Sequence, residues 1–479
     1  MHTPRLLRAA RPALPLLLLG ALLGATAACR ATAPAPAPEA APATAAEATL
    51  AFVDVTVIPD GTRAVPGQTV LVAGGRIVAV GPAADTAVPG GARRIEGKGR
   101  FLMAGLADMH LHLPAGAGGL DDAAGQTLAL QLANGVTTAR ALIAAPGSLA
   151  LRERVARGEV DGPRLLVAAP SLNKGSVKDA ADVRAQVRAA RAAGYDVLKT
   201  HGGLSREVYD ALVEEARAQD LRLSGHVTPE VGLPAALAAG QQVEHLDGYL
   251  AELLPEGDPA RAQYLMLEVR EPVFRMDAGR LPALARRTRE AGVWNTPTLS
   301  LFAILAGAGD LPALEARPEL RYAPAAARAK WRQALTTPEL LAAPAEGKRR
   351  YAELRREAVR QLHAAGAGLL VGSDSPQLFN VPGFALHREM EELAAAGLPP
   401  SAVLVAATHA AARYLGEEQD WGRVAVGQRA DLLLLKADPL ADVRHTRDPE
   451  GVLVAGRWLP REQLEAALAR VAGHVAAAK

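Results

Sequence analysis

Two imidazoles stand two residues apart in an apolar run. They are His110 and His112 in FLMAGLADMHLHL, residues 101–113, with Asp108 ahead of them. Side chains alternate along a strand, so Asp108, His110 and His112 share one face and Met109 and Leu111 the other. Neutral imidazole is a good ligand for zinc-like ions, and two on one face supply part of a metal site. A partly solvated histidine pair at a strand end is the alternative from this stretch alone. Further ligands must come from elsewhere in the chain.

Other apolar segments end in polar residues of the right kinds. Lys199 closes YDVLK, His226 lies in RLSGHV, His245 in QQVEHLDG and Asp374 in LLVGSDSP. A charged lysine in an apolar interior is costly. Two readings of Lys199 follow: it pairs with a carboxylate such as Asp374, or CO2 converts it to an anionic carbamate able to bridge two cations. Each histidine singly reads as an ordinary half-buried residue, and Asp374 singly as a helix N-cap. Taken together, six such residues read as a ligand set.

The surrounding text predicts how they are held. Eight segments read as strands: LADMHLHL, GVTTARAL, PRLLVAAPSL, YDVLKTH, LRLSGHV, QQVEHLDG, GVWNTPTLS and AGLLVGSDSP. Helical text lies between most of them, as in SREVYDALVEEARAQD with Ser205 as N-cap, and EVGLPAALAAG. This alternation over residues 105–420 predicts an α/β fold, a (β/α)8 TIM barrel with its chemistry at the C-terminal strand ends. The largest insertion, about 306–360, reads as helices that cap the barrel mouth. Residues 49–104 and 421–479 carry short strands with Gly/Asp turns. They predict a small β-sandwich built from both chain ends, followed by a C-terminal helix.

The first 48 residues stand apart. Arg5, Arg8 and Arg11 precede LPLLLLGALLG and ATAAC, which reads as a signal peptide over residues 1–29. The apolar run is too short and Gly-rich for a spanning helix. TAAC resembles a bacterial lipobox with Cys29 as the lipidated residue, although Thr26 stands where that motif usually has Leu. Ordinary cleavage nearby is the alternative. Residues 30–48 are Pro/Ala-rich and read as a flexible linker. The expectation is an exported chain, periplasmic or outer-membrane-anchored, touching membrane only through an N-terminal lipid. Cys29 is the single cysteine, so no internal disulfide forms. A net charge of +2 over 479 residues gives no field for nucleic acid. Composition leaves the oligomeric state open, a homo-oligomer included.

The ordered set HLH, VLKTH, SGHV, VEH and GSD, closed by GQRADLLLL, resembles the amidohydrolase superfamily over essentially the whole mature chain. Within it the set is similar to the imidazolonepropionase-like branch with its metal-dependent dipeptidases. The resemblance implies two divalent cations. His110 and His112 would bind the more buried one, His226 and His245 the more exposed one, and carboxylated Lys199 would bridge them. Asp374 would ligate the buried cation and handle protons as the catalytic residue. Some members use one metal and leave the lysine unmodified. The ligand mix suits zinc, with Mn, Fe or Co as alternatives. The implied reaction is hydrolysis of an amide C–N bond in a small substrate, such as a dipeptide or N-acyl amino acid. Cations lower the pKa of a water to give hydroxide, and Asp374 moves its proton to the leaving nitrogen. A mononuclear cyclic-amide hydrolase and a non-catalytic surface lipoprotein are the competing readings of the same scaffold.

Substrate recognition is less constrained. Arg140 (TTARAL), Lys174 (SLNKG) and His201 (VLKTH) lie at or just past strand ends and would bind a substrate carboxylate, or else satisfy loop carbonyls. Tyr249, Asn295 and Thr296 would line the pocket. Asp108 and Glu244 are adjacent candidates to accept the outer N–H of a ligand histidine. His363, His387 and His409 fit helix faces better than a metal site. Val227 and Thr228 stand where many dipeptidase relatives are expected to have an aromatic, which weakens transfer of a specific dipeptidase activity.

Overall fold

The computed structural model describes residues 44–263, 270–307 and 310–477. The expected signal peptide, lipidated Cys29 and most of the linker lie outside the described residues. No helix among the described residues is long and apolar enough to cross a membrane.

The two chain ends meet in one sheet. Strands β1 (Leu50–Ile58), β2 (Val65–Ala73), β3 (Arg76–Pro82), β4 (Arg93–Glu96) and β5 (Phe101–Ala104) come from the N-terminal side. Further strands, labelled below, come from the C-terminal side. Next in the chain are the parallel strands β6 (Leu106–Leu113), β7 (Val136–Ala144), β8 (Arg164–Val167), β9 (Val197–Thr200), β10 (Arg222–Gly225), β11 (Gln242–Glu244), β12 (Trp294–Thr296) and β13 (Gly368–Leu369). Last are β14 (Leu432–Leu435), β15 (Gly451–Val454) and β16 (Arg457–Pro460). The terminal strands form one eight-stranded sheet ordered β16-β15-β14-β5-β1-β2-β3, with β4 also on β1. The strands expected to form a small β-sandwich are linked by hydrogen bonds into one sheet. The seam is antiparallel, Phe101 opposite Leu435 and Ala104 opposite Leu432. All four residues of β14 are leucine because both faces are covered. Leu432 and Leu434 pack with Phe52, Val70 and Leu453, while Leu433 and Leu435 join the large core around the parallel strands.

All eight segments read as barrel strands carry one of the parallel strands. Three form the sheet β6-β7-β8 and five the sheet β13-β12-β11-β10-β9. Backbone bonds also run between the two sheets. Met109 N–H donates to Val371 O at 2.9 Å, and Ala169 N–H donates to Val197 O at 2.9 Å. Most of these strands are shorter than the apolar text that encodes them. The residues just past them leave extended geometry: His245, Thr298 and Asp374 have φ of 62°, 48° and 51°. Non-glycine residues in this region cost about 1–3 kcal/mol each and cluster at functional sites.

Helices lie between successive parallel strands. Ser205 caps Arg206–Ala218 by accepting from Val208 N–H at 3.3 Å, and Asp179 caps Ala180–Ala193 the same way. The insertion between β12 and β13 is helical. Its longest piece, Ala345–Ala365, buries Tyr351, Leu354, Arg355, Ala358, Val359 and Leu362, the spacing of one helix face. Gly366 at φ 73° ends it in the left-handed conformation that glycine adopts without strain. The C-terminal helix Arg461–Ala477 buries Leu464, Leu468 and Val471 in the large core.

Candidate metal centre

His110 and His112 project from β6, and Asp374 lies just past β13. Backbone pairing brings them together, because Asp374 N–H donates to His110 O at 2.7 Å. Asp374 Oδ1 is 2.9 Å from His112 Nε2 and 3.3 Å from His110 Nε2. One ligand atom from each of the three lies within 4.8 Å of the others. Gly372 permits this approach. A Cβ there would meet Thr296 Cγ2 at 2.5 Å and His110 Cβ at 2.8 Å.

The other predicted ligands face the same place. Lys199 Nζ, buried in β9, is 3.5 Å from His110 Nε2. It makes no ion pair with Asp374 among the described residues, so the lysine–aspartate pairing weighed from sequence is not formed. The His110 and His245 rings are 4.8 Å apart, His245 and His226 4.7 Å, and His226 and His201 4.5 Å. Five histidines thus form a continuous cluster with His112 at one end.

The rings are anchored from behind. His110 Nδ1 meets Glu244 Oε2 at 2.8 Å, His226 Nδ1 meets Asp247 Oδ2 at 2.8 Å, and His245 Nδ1 meets Thr298 Oγ1 at 2.8 Å. Acceptors of this kind fix the tautomer and aim a histidine at a metal. Glu244 was foreseen in this role. Asp108 was too, but its carboxylate takes Ser373 N–H at 2.9 Å, Ser373 Oγ at 2.6 Å and Gln131 Nε2 at 2.9 Å. It braces the loop carrying Asp374 rather than a ring. Asp247 and Thr298 were missed, although Asp247 stands two residues after His245 in the same quoted segment.

Burial sets the charge state. It pushes His110 down to about 4 and His245 well below the usual imidazole range, so both are neutral donors of a lone pair. Burial also pushes the Lys199 ammonium down. For Asp374 burial opposes the anion, but the His110 and His245 imidazoles hold the carboxyl well below its usual range.

These residues fit a bound cation. Asp374 Oδ1 is buried and no well-aligned hydrogen bond reaches it among the described residues, while two imidazole Nε2 atoms converge on it. An unpaired buried carboxylate oxygen is costly unless something positive engages it. Neutral imidazoles with a carboxylate are the donor set that zinc-like ions take.

A model of the family described as "Amidohydrolase family" matches residues 101–459. The chain belongs to the amidohydrolase family. It is a hydrolase acting on carbon–nitrogen bonds. The solved structure of a bottromycin amidohydrolase is similar to this amidohydrolase, with 26% identity, a TM-score of 0.67, and coverage of 88% of this chain and 90% of that one. An Xaa-Pro dipeptidase with bound methionine in its active site shares the fold at 17% identity and TM-score 0.63, covering 86% and 99% of the two chains. Aspergillus niger ochratoxinase does so at 20% and 0.61, covering 86% and 96%. An adenine deaminase of Paracoccus denitrificans (strain Pd 1222) is 46% identical over 52 residues, 11% of this chain and 9% of that protein.

The residues expected to hold substrate divide. Lys174 is exposed in the loop after β8, and His201 is half-buried beside His226. Arg140 departs from its expected place at the mouth. It is 1% exposed, and its guanidinium donates to Met109 O, Gln242 Oε1 and Glu244 Oε1. It fixes Glu244, which fixes His110. Tyr249 departs likewise, its buried hydroxyl 2.7 Å from Thr288 Oγ1 in the core. Both residues point inward because their polar ends find buried partners there. His387 is structural as expected, bonded to Asn134 O at 3.0 Å and Thr446 Oγ1 at 3.1 Å.

Proposed function

We propose that this amidohydrolase cleaves the amide bond of a small substrate, a dipeptide or N-acyl amino acid, using two divalent cations of the zinc type. The observation that carries this reading is Asp374 Oδ1, buried between the Nε2 atoms of His110 and His112 without a well-aligned hydrogen bond among the described residues. His110, His112 and Asp374 would hold one cation, His226 and His245 the other, and carboxylated Lys199 would bridge them. The buried amine of Lys199, beside His110 and without a carboxylate partner among the described residues, supports the carbamate. Eight parallel strands with backbone bonds between their two sheets support a (β/α)8 barrel as the scaffold. The imidazolonepropionase-like branch is proposed from the order of motifs, and an exported, lipid-anchored chain from the text of residues 1–48.

Bound cations would polarise the scissile carbonyl and make water a nucleophile near neutral pH. The chain supplies the remainder. Asp374 is positioned to take a proton from the attacking water and return it to the leaving nitrogen, without which an amide nitrogen leaves poorly. Glu244, Asp247 and Thr298 keep three imidazoles oriented throughout. The left-handed backbone at His245 and Asp374 aims both side chains inward from loop positions that a straight strand would point elsewhere.

The test is metal content by elemental mass spectrometry, with bicarbonate present during growth and assay, followed by hydrolysis of dipeptides and N-acyl amino acids. Two metals per chain with turnover support the reading. One metal redirects it to a mononuclear site and cyclic amides. No metal after reconstitution removes it.

A further inference from the structure

We propose that Arg355 is the anion anchor of this active site and binds the carboxylate on the leaving-amine side of the substrate. The proposal rests on the amide-hydrolase reading above and names a class within it. Arg355 lies on the buried face of the inserted helix Ala345–Ala365 and is 2% exposed. Its Nη2 donates to the carbonyl oxygen of the ligand histidine His245, and its Nη1 to Tyr351 Oη at 3.2 Å. Its guanidinium lies 3.5 Å over the Phe302 ring. Guanidinium has five N–H donors. Nε has no acceptor, and no carboxylate pairs with Arg355 among the described residues.

The contrast with Arg140 is informative. Arg140 is equally buried, but Glu244 neutralises it at 3.0 Å. A buried charge without a counter-ion is strongly unfavourable. Arg355 also walls a cavity of about 190 Å³ together with Val227, Thr228, Asp247 and Gly248, the residues that follow His226 and His245. The other charges in that wall are committed. Asp247 holds His226 Nδ1, and Arg261 pairs with Glu252 at 2.8 Å. Among the described residues Arg355 is therefore the cation in this wall that lacks an anion, bonded to the backbone of the outer histidine His245. A planar carboxylate one residue from the scissile amide matches its donors. The small cavity suits the amino-acid half of a dipeptide or N-acyl amino acid.

Arg355 also holds the His245 carbonyl, so the test must separate binding from support. The probes are N-acetyl-L-amino acids and their carboxamides, read by acetate release from metal-loaded enzyme. The wild-type chain is expected to favour the acid in kcat/KM by about 10- to 100-fold, the size of one or two charge-assisted hydrogen bonds. Arg355→Gln should abolish that preference mainly through KM for the acid, bringing the acid-to-carboxamide ratio of kcat/KM to about 1. Arg355→Lys keeps the charge, guards against misfolding and should retain part of the preference. Parallel loss on acid and carboxamide in Arg355→Gln would overturn the proposal, as would wild-type turnover without preference for the acid. Calorimetric binding of the same acids to the metal-free chain separates the two readings. Arg355-dependent binding without hydrolysis would keep the anchor and remove the amide-hydrolase function. Absence of both would remove both.

Discussion

Glu244→Gln keeps the shape of a buried side chain and changes only its charge and donor pattern. In the native site two carboxylate oxygens serve three donors: His110 Nδ1 at 2.8 Å, Arg140 Nη2 at 3.0 Å and Ser224 Oγ at 2.6 Å. Burial works against the anion, yet His110 and Arg140 hold the carboxyl down at about 2. A glutamine has one acceptor oxygen, so its –NH2 must face either Arg140 or His110. Breaking a buried ion pair by removing one partner costs about 3–5 kcal/mol. That is a large share of a typical total of about 5–15 kcal/mol. The metal should bind about 10- to 100-fold more weakly, because His110 loses its fixed orientation. Urea unfolding of the metal-free chain reads the first effect, and competition with a zinc-sensitive chromophore reads the second. In the double variant Arg140→Met/Glu244→Gln, the amide can turn its oxygen to His110 and its –NH2 to Ser224. Both losses should then shrink by more than half, a coupling that contacting residues show and distant ones do not. A single variant within about 0.5 kcal/mol of wild type, the range of ordinary surface changes, would refute this reasoning. So would a double variant no better than the single one.

Three further outcomes are expected. Asp374→Asn should keep the circular dichroism spectrum and lose about 10²- to 10⁴-fold in turnover, the range for a lost general acid–base; wild-type rates in a metal-loaded preparation would exclude the proton role. Gly372→Ala should lose metal binding and about 1–3 kcal/mol of stability, because its Cβ would press on Thr296 and on His110 N at 2.9 Å; unchanged metal content in the purified variant would contradict this. Burial pushes Glu389 up to about 7, against the Leu299 and Ser300 N–H groups that favour its anion. Its folded pKa lies above the unfolded one, so the native state keeps a proton that the unfolded chain has lost. The stability it contributes is full below about pH 4.3 and is lost as pH rises through about 7, a change of about 3 kcal/mol relative to Glu389→Gln. Parallel urea stabilities of the two chains from pH 4.5 to 7.5 would exclude it.

The sequence by itself determined the family-bearing residues and the strand order that carries them. Period-two alternation put His110 and His112 in β6, and apolar runs ending in Lys199, His226, His245 and Asp374 marked where the other parallel strands stop. These signals are local, because a strand buried on both faces must be apolar and a polar residue at its end is conspicuous. The seam between the chain ends was legible in composition, but its pairing was not. LLLL has no alternation, and only the packing shows that its two faces enter two different cores. The network behind the ligands was decided by tertiary structure. Asp108 stands two residues before His110 and Glu244 one before His245, yet only Glu244 reaches a ring, that of distant His110, because the loop after β13 folds over Asp108. Arg140 looked like a mouth residue for the same reason. Its position in β7 fixes where the backbone runs, and the buried carboxylate of Glu244, about a hundred residues later, decides which way the guanidinium turns. Arg355 left no local signal at all. One arginine among many in an Arg-rich helix becomes distinct only when the fold buries it against His245 and Phe302 with no counter-ion among the described residues.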